Sequence, residues 1–337
     1  TVLKKYSDLA LLFERTKHST DKLRYYIHLG FSEWNKNSLQ PLFLFENKLL
    51  KVLSDQYSLD SVKRVEKIFS KPPNIDTYIR NSVRKENYFE KFKGSSVSTS
   101  HFRFSKNVSL IETKGYRSGE WWVQSLAASL PVKIAPMDFK GKYVLDVCCA
   151  PGGKSFQLAD QGAILTSIDK SEKRLKLMKE NLDRLKYDLE LICTDVLQYK
   201  PKKLFDIILL DPPCTATGTL GKNPDLQFLN PLDKLEELLD TQKKMLDLCS
   251  GWLKDNGFII YSVCSLQKEE GENQINLFLA KHDKFRAVKP KGGPHLYKDG
   301  FEIGKDRGIR IMPFFEERIG GTEGFYFAYL QLKGKNN

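Results

Sequence analysis

Apolar residues recur at helical spacing through residues 1–70, as in Leu49, Leu50 and Leu53 and then Val62, Val65, Ile68 and Phe69. That spacing predicts a mainly helical N-terminal region. Lys71-Pro72-Pro73 closes it, because proline cannot continue a helix. Residues 74–118 mix short strand-like runs with polar turns such as Gly94-Ser95-Ser96. We therefore expect a small α+β connecting domain over residues 71–135.

From Gly141 the texture changes. Tyr143–Val147, Ile164–Ile168, Leu189–Cys193, Phe205–Leu210 and Phe258–Val263 are apolar runs of strand length. Glu172–Leu185 puts Leu175, Met178, Leu182 and Leu185 on one helical face, and Leu232–Leu253 reads as a long helix. Strands alternating with helices predict an α/β domain over residues 136–334, built on a mostly parallel sheet covered on both faces. Ligands of such sheets bind at the carboxyl ends of the strands.

Composition adds three constraints. A hydrophobic fraction of 41% and an aromatic fraction of 12% over 337 residues fit a folded chain of more than one domain. No run of about 18 apolar residues and no secretory signal is present, so neither a membrane span nor export is expected. The chain begins with Thr1 rather than Met, as a fragment would. The cysteines are Cys148, Cys149, Cys193, Cys214, Cys249 and Cys264, with no Cys-x-x-Cys pair. No metal site is expected, and a reduced cytoplasmic setting fits better than a disulfide scaffold. Charge is uneven: residues 1–110 carry 20 Lys and Arg against 11 Asp and Glu, and the remainder 34 against 31. A polyanion-facing module joined to a nearly neutral one gives that asymmetry, and so does a plain solvated basic surface.

The chemistry-bearing residues fall at strand ends. The first strand runs into Cys148-Cys149-Ala150-Pro151-Gly152-Gly153-Lys154 and then a helix. Its glycines admit close backbone approach, and the helix start offers unpaired N–H groups. The run lacks the upstream glycine of a P-loop. Asp169 ends the second strand, where a carboxylate can accept both hydroxyls of a ribose. Asp195 follows the third strand, beside the expected place of an adenine edge. Asp211-Pro212-Pro213-Cys214 ends the fourth and Tyr261-Ser262-Val263-Cys264-Ser265 the fifth. Neighbouring strands lie about 5 Å apart, so the two thiols can converge on one substrate. Free cysteines are also common as small buried hydrophobes, but two at matched strand ends beside a carboxylate favour chemistry.

These segments resemble the Sun/Fmu family of RNA cytosine-C5 methyltransferases, in its bacterial small-subunit rRNA branch. The resemblance rests on Val144–Ser155, Leu209–Asp225, Tyr261–Gln274 and the stretch from Arg310 to Leu330, with Gly119–Pro131 as lead-in, and covers roughly residues 70–334. It implies a Rossmann-like class I fold and S-adenosylmethionine held by Cys148, Cys149, Ala150, Pro151, Gly152, Gly153, Lys154, Asp169, Asp195 and Asp211. It also implies Cys264 as nucleophile and Cys214 as the helper in adduct breakdown. The chain departs from the family at Cys149, usually alanine, at Thr215-Ala216, commonly Ser-Gly, and at Gly221-Lys222, often Arg-Arg. The family's N-terminal helical domain is expected to be shortened, replaced or missing, since only residues 1–70 are available for it.

The implied reaction suits these residue types. Carbon 5 of cytosine is a poor nucleophile until a thiolate adds to carbon 6. Asp211 is expected to hydrogen-bond N3 or the exocyclic amine and to carry a proton during attack, with Lys154 adding positive charge. The target base must be single-stranded or flipped out. Tyr261, Phe228 and Trp122 are then either stacking partners or core residues. The expected partner is RNA, 16S rRNA first, bound by a monomer without membrane or metal. The alternatives are the same chemistry on tRNA, another RNA or DNA, or a non-catalytic RNA-binding ribosome assembly factor.

Overall fold

A computed structural model defines residues 47–71, 73–83, 94–104, 109–223, 226, 231–292 and 298–334. Of the predicted helical region, residues 1–46 lie outside these described residues. Helices α1 (Asn47–Gln56) and α2 (Leu59–Phe69) form a pair. Ser58 caps α2 by accepting from the Ser61 N–H at 3.2 Å, one of the donors that a first helical turn leaves open. Val62, Val65 and Ile68 recur on one face and pack with Leu49 and Leu53 against Leu220, Leu266, Met312 and Phe314 of the larger domain. Each such buried side chain contributes about 1.5–3 kcal/mol of transfer free energy.

Strands β1 (Ile75–Ile79), β2 (Gly94–Ser98), β3 (His101–Phe104) and β4 (Trp121–Val123) make an antiparallel sheet of order β2-β3-β1-β4. Gly94-Ser95-Ser96, expected as a polar turn, is instead the edge strand β2. An edge strand needs one hydrogen-bonded neighbour and tolerates polar residues, so it carries little hydropathy signal. Helix α3 (Leu126–Lys133), drawn from the stretch expected to connect the domains, buries Leu126, Leu130 and Val132 in the core of the larger layer.

That layer holds β5 (Tyr143–Val147), β6 (Ile164–Asp169), β7 (Glu190–Cys193), β8 (Phe205–Leu210) and β9 (Leu253–Val263) as parallel neighbours in the order β9-β8-β5-β6-β7. Side chains alternate across it. Val144, Ile207, Leu209 and Ile260 enter one core, and Leu145, Ile208, Leu210 and Ile259 enter the other. Burial on both faces is why these strands read as continuous apolar runs. Helices α4 (Gly153–Asp160), α5 (Glu172–Leu185) and α6 (Leu235–Ser250) supply the crossovers, and α7 (Gln274–Lys281) follows β9. The expected helix Leu232–Leu253 is shorter than its apolar pattern suggests. It opens with a 3-10 turn at Pro231–Lys234, and Leu253 already pairs with Phe205 as the start of β9.

The sheet is not parallel throughout. β13 (Phe325–Leu332) runs antiparallel beside β9, and β12 (Ile309–Ile311) and β11 (Phe301–Ile303) extend that edge. β10 (Phe285–Val288) also pairs with β13. The result is a nine-stranded, Rossmann-like α/β sheet with an antiparallel wing. Among the described residues no helix is long and apolar enough to cross a membrane.

Candidate active site

The parallel register sets Val147 level with Ile168 and Leu210, Asp169 level with Cys193, and Leu210 level with Tyr261. The residues at and just beyond those positions therefore surface along one edge. Cys148, Asp169, Asp195, Asp211, Cys214 and Cys264 all line one cavity of about 810 Å³.

The loop between β5 and α4 is tightly folded. Cys148 has φ 61° and Gly152 φ 106°, and a Cβ on Gly152 would overlap the Phe156 ring. The Gly152 N–H donates to Cys149 O at 2.9 Å, and α4 then starts at Gly153. The loop's two thiols are not aimed at chemistry. Cys149 is buried with Sγ 3.7 Å from Met178 Sδ, and burial, with Asp146 adding, pushes its pKa up. Burial, reinforced by Asp211 and Asp169, pushes Cys148 up to about 12. Both thiols pack with core residues and hold their protons.

Asp169 is buried and held rigidly: Oδ2 accepts from Ala150 N at 3.1 Å and Oδ1 from Ser171 N at 2.9 Å. A carboxylate has about four lone-pair sites, so acceptor capacity remains on its cavity side. Arg174 stands 3.7 Å away and also donates to Ala150 O. Asp195 accepts from Leu197 N at 2.9 Å and stays half-buried on the wall. Ile168, Val196, Pro212 and Met245 supply apolar surface nearby. An apolar slot flanked by two carboxylates, beside backbone N–H groups and a glycine turn, fits an adenosine with its flat base and paired hydroxyls.

At the other end of the cavity, Cys214 Sγ lies 3.5 Å from Cys264 Sγ. Lys154 Nζ donates to Asp211 Oδ2 at 2.6 Å and sits 4.9 Å from the centre of the Phe325 ring. Burial works against the Lys154 charge. Asp211, by charge and hydrogen bond, with Cys264 and Asp146 adding, outweighs it and raises the ammonium's pKa. Lys154 is thus held as an ammonium against Asp211. The hydrogen bond to Cys264, then burial, holds the Cys214 thiol well above its ordinary pKa.

Two of the three candidate stacking residues are core residues. Tyr261 is fully buried and donates to Glu270 O at 2.7 Å. Trp122 stacks on Tyr78 with ring centroids 4.7 Å apart, and its indole N–H donates to Gln124 at 2.9 Å. Phe228 lies outside the described residues. Sequence reading missed Phe325 and Glu323, which reach the cavity from the start of β13. Glu323 pairs with Lys222 at 2.5 Å. The available signal was a glycine match. Gly324 N donates to Gly218 O at 2.8 Å and Gly218 N to Cys264 O at 3.0 Å, while a Cβ on Gly218 would overlap the Gly324 carbonyl.

Residues 134–331 match the family model described as 16S rRNA methyltransferase RsmB/F. The chain is 33% identical over 276 residues to the ribosomal RNA small subunit methyltransferase B of Pseudomonas syringae pv. tomato, covering 77% of this chain and 59% of that protein. It is 30% identical to the Vibrio cholerae protein of the same name, covering 84% and 64%. It thus spans about three fifths of those relatives' length. Two solved structures share the fold. A methyltransferase homologue from Pyrococcus horikoshii superposes with TM-score 0.71 at 23% identity, covering 86% of this chain and 97% of its own. NSun6 from the same organism gives 0.73 at 18%, covering 86% and 99%. The chain belongs to the 16S rRNA methyltransferase RsmB/F family.

Proposed function

We propose that this chain methylates carbon 5 of a cytosine in RNA, small-subunit 16S rRNA first, with S-adenosylmethionine as methyl donor. The observation that carries the reading is the thiol pair: Cys214 and Cys264 touch at 3.5 Å beside the Lys154–Asp211 pair, at the end of the cavity that fits adenosine. The residues that would hold the donor are the backbone from Cys148 through Gly153 together with Asp169, Asp195 and Asp211. Bound there, S-adenosylmethionine supplies an electrophilic methyl group. The chain's own residues do the rest. Cys264 as thiolate adds to carbon 6 of the cytosine; a sulfur–carbon bond forms and the carbon 5–carbon 6 π pair becomes available at carbon 5. Asp211 accepts from the exocyclic amine, and Lys154 stabilises the negative charge that builds on the ring. When a solvent water takes the carbon 5 proton of the methylated adduct, its bonding pair restores the ring double bond and the carbon 6–sulfur pair returns to Cys264. The Cys214 S–H, already at hydrogen-bond distance, stabilises that departing sulfur.

The two thiols should fail differently. Cys264→Ala should form no adduct and transfer no methyl while still binding the donor. Cys214→Ala should still attack and should accumulate an RNA–protein crosslink that survives denaturation and vanishes on RNase digestion. Denaturing gels with labelled donor distinguish the cases. Two merely destabilised proteins, each weaker by about 1–3 kcal/mol and free of crosslink, would sink the covalent reading; a crosslink in Cys264→Ala instead would reverse the roles.

A further inference from the structure

Two contacting thiols are chemically alike, and something must decide which keeps its proton. Next to Cys214, the side chain that holds the Thr215 backbone N–H is that of Glu270. This residue is fully buried, in the π-helical turn Glu269–Asn273 that follows β9. Its Oε1 accepts from the backbone N–H of Thr215 at 2.9 Å and from Gln242 Nε2 at 2.9 Å. Its other oxygen accepts from the Thr215 hydroxyl. Gln242 Nε2 also donates to Pro213 O at 3.0 Å, so Glu270 and Gln242 grip the residues on either side of Cys214. Thr215 in turn bonds Ser265, next to Cys264, at 3.0 Å between hydroxyl oxygens. A single carboxylate thereby braces one cysteine loop and links it to the other.

We propose that Glu270 is a positioning residue that makes the two touching thiols inequivalent, keeping the proton on Cys214 and leaving Cys264, which lines the same cavity as Lys154, as the thiolate. This deepens the covalent reading and rests on it for its meaning. The charged and titratable groups facing Cys214 are Glu270, Asp211, Tyr261 and Cys264 itself. Glu270 and Asp211 are carboxyls whose charge resists a second negative charge, Tyr261 is a phenol held neutral by burial, and Cys264 is the hydrogen-bond partner. The hydrogen bond with Cys264, then burial, and after them the charges of Cys264 and Glu270 work against a thiolate at Cys214. The ammonium of Lys154 is coupled to Cys264 instead. In that arrangement the S–H of Cys214 donates to Cys264 Sγ, 3.5 Å away. The same S–H then serves the departing sulfur at the end of the reaction.

The test needs neither RNA nor methyl donor, so its failure is distinguishable from failure of the methyltransferase reading. The full chain is treated with limiting iodoacetamide, in which each thiolate displaces iodide and forms a sulfur–carbon bond. Peptide mass spectrometry then follows the rate at each cysteine from pH 6 to 9. In the wild type, Cys264 should react at least about tenfold faster than Cys214 throughout. In Glu270→Gln, Cys214 should gain about tenfold in rate and its pH profile should move to lower pH. Thermal melting shows whether the variant is folded. If it is not, the wild-type profile alone still decides: equal rates at the two thiols would overturn the proposal. A folded Glu270→Gln with an unmoved Cys214 profile would overturn it too, because a purely structural brace has no reason to shift an ionisation.

Discussion

Asp146 is the acid beneath the glycine loop, with no assigned place in the chemistry. It is fully buried in β5; Ser155 donates to it, and Ser167 Oγ lies 3.3 Å from Ser155 Oγ. Burial pushes its pKa up to about 7, against the opposing hydrogen bond from Ser155 and the charge of Lys154. An acid whose folded pKa exceeds its unfolded value holds its proton more tightly in the native state. The stability it contributes is complete below about pH 4 and is lost as the pH rises through 7. A rise from 3.8 to about 7 corresponds to as much as roughly 4 kcal/mol. Asp146→Asn keeps an acceptor for Ser155 and cannot ionise. Urea unfolding at pH 5 and pH 8 should show the wild type losing about 2–3 kcal/mol relative to the variant between the two, since the unfolded carboxyl is already ionised at pH 5. A difference that does not change with pH would mean that Asp146 is already ionised in the folded protein at pH 5.

At the scale of elements, the α1–α2 pair does more than append charge. Tyr57, just past α1, donates to Leu266 O at 2.7 Å, and Gln56 Oε1 accepts from Lys268 N at 2.9 Å. Lys268 Nζ returns a bond to Gln56 O at 2.7 Å. These contacts fix the backbone two to four residues beyond Cys264. Tyr57→Phe keeps the ring and strands a carbonyl, a loss of about 1–3 kcal/mol. Because small displacements of a reacting group cost up to about 10²-fold, we expect turnover to fall roughly tenfold with RNA affinity nearly unchanged. Filter binding and single-turnover methylation on one preparation check this; equal losses in both would assign Tyr57 to RNA contact. The pair also shows what a sequence can and cannot convey. The stripe Val62, Val65, Ile68 announces a buried face but not what covers it. The glycine loop, Asp169, Asp211 and both cysteines were legible because each stands at the end of an apolar run. Tyr261 and Trp122 were not, since an aromatic residue beside a motif reads the same whether it packs or stacks. Phe325 and Glu323 reach the site only through the antiparallel return of β13, a pairing no local pattern encodes.

For the whole molecule, the excess of basic residues in the first 110 positions overstates the charge open to a polyanion. Arg64 pairs with Asp299 at 2.7 Å and Glu317 at 2.9 Å. Arg103 grips Asp76, and Arg80 donates to Leu185 O at 3.0 Å near Asp160. Lys67 also reaches Glu317. These cations join α2 and the small sheet to the larger domain, so they serve assembly of the chain. Lys51, Lys63 and Lys71 are exposed and carry no ion pair among the described residues, and their long stems let the ammonium groups reach phosphate. If RNA runs over this face, each phosphate they neutralise should contribute about 0.7 to the slope of log affinity against log salt. Replacing all three by Gln should therefore flatten the slope by up to about 2. Arg64→Gln or Arg80→Gln should lower the melting temperature and leave the slope where it was. Fluorescence anisotropy with a short single-stranded RNA from 50 to 300 mM salt reads both. An unchanged slope in the lysine triple would move the phosphate track off the helix pair, and a flattened slope in the arginine variants would mean that their ion pairs open when RNA binds.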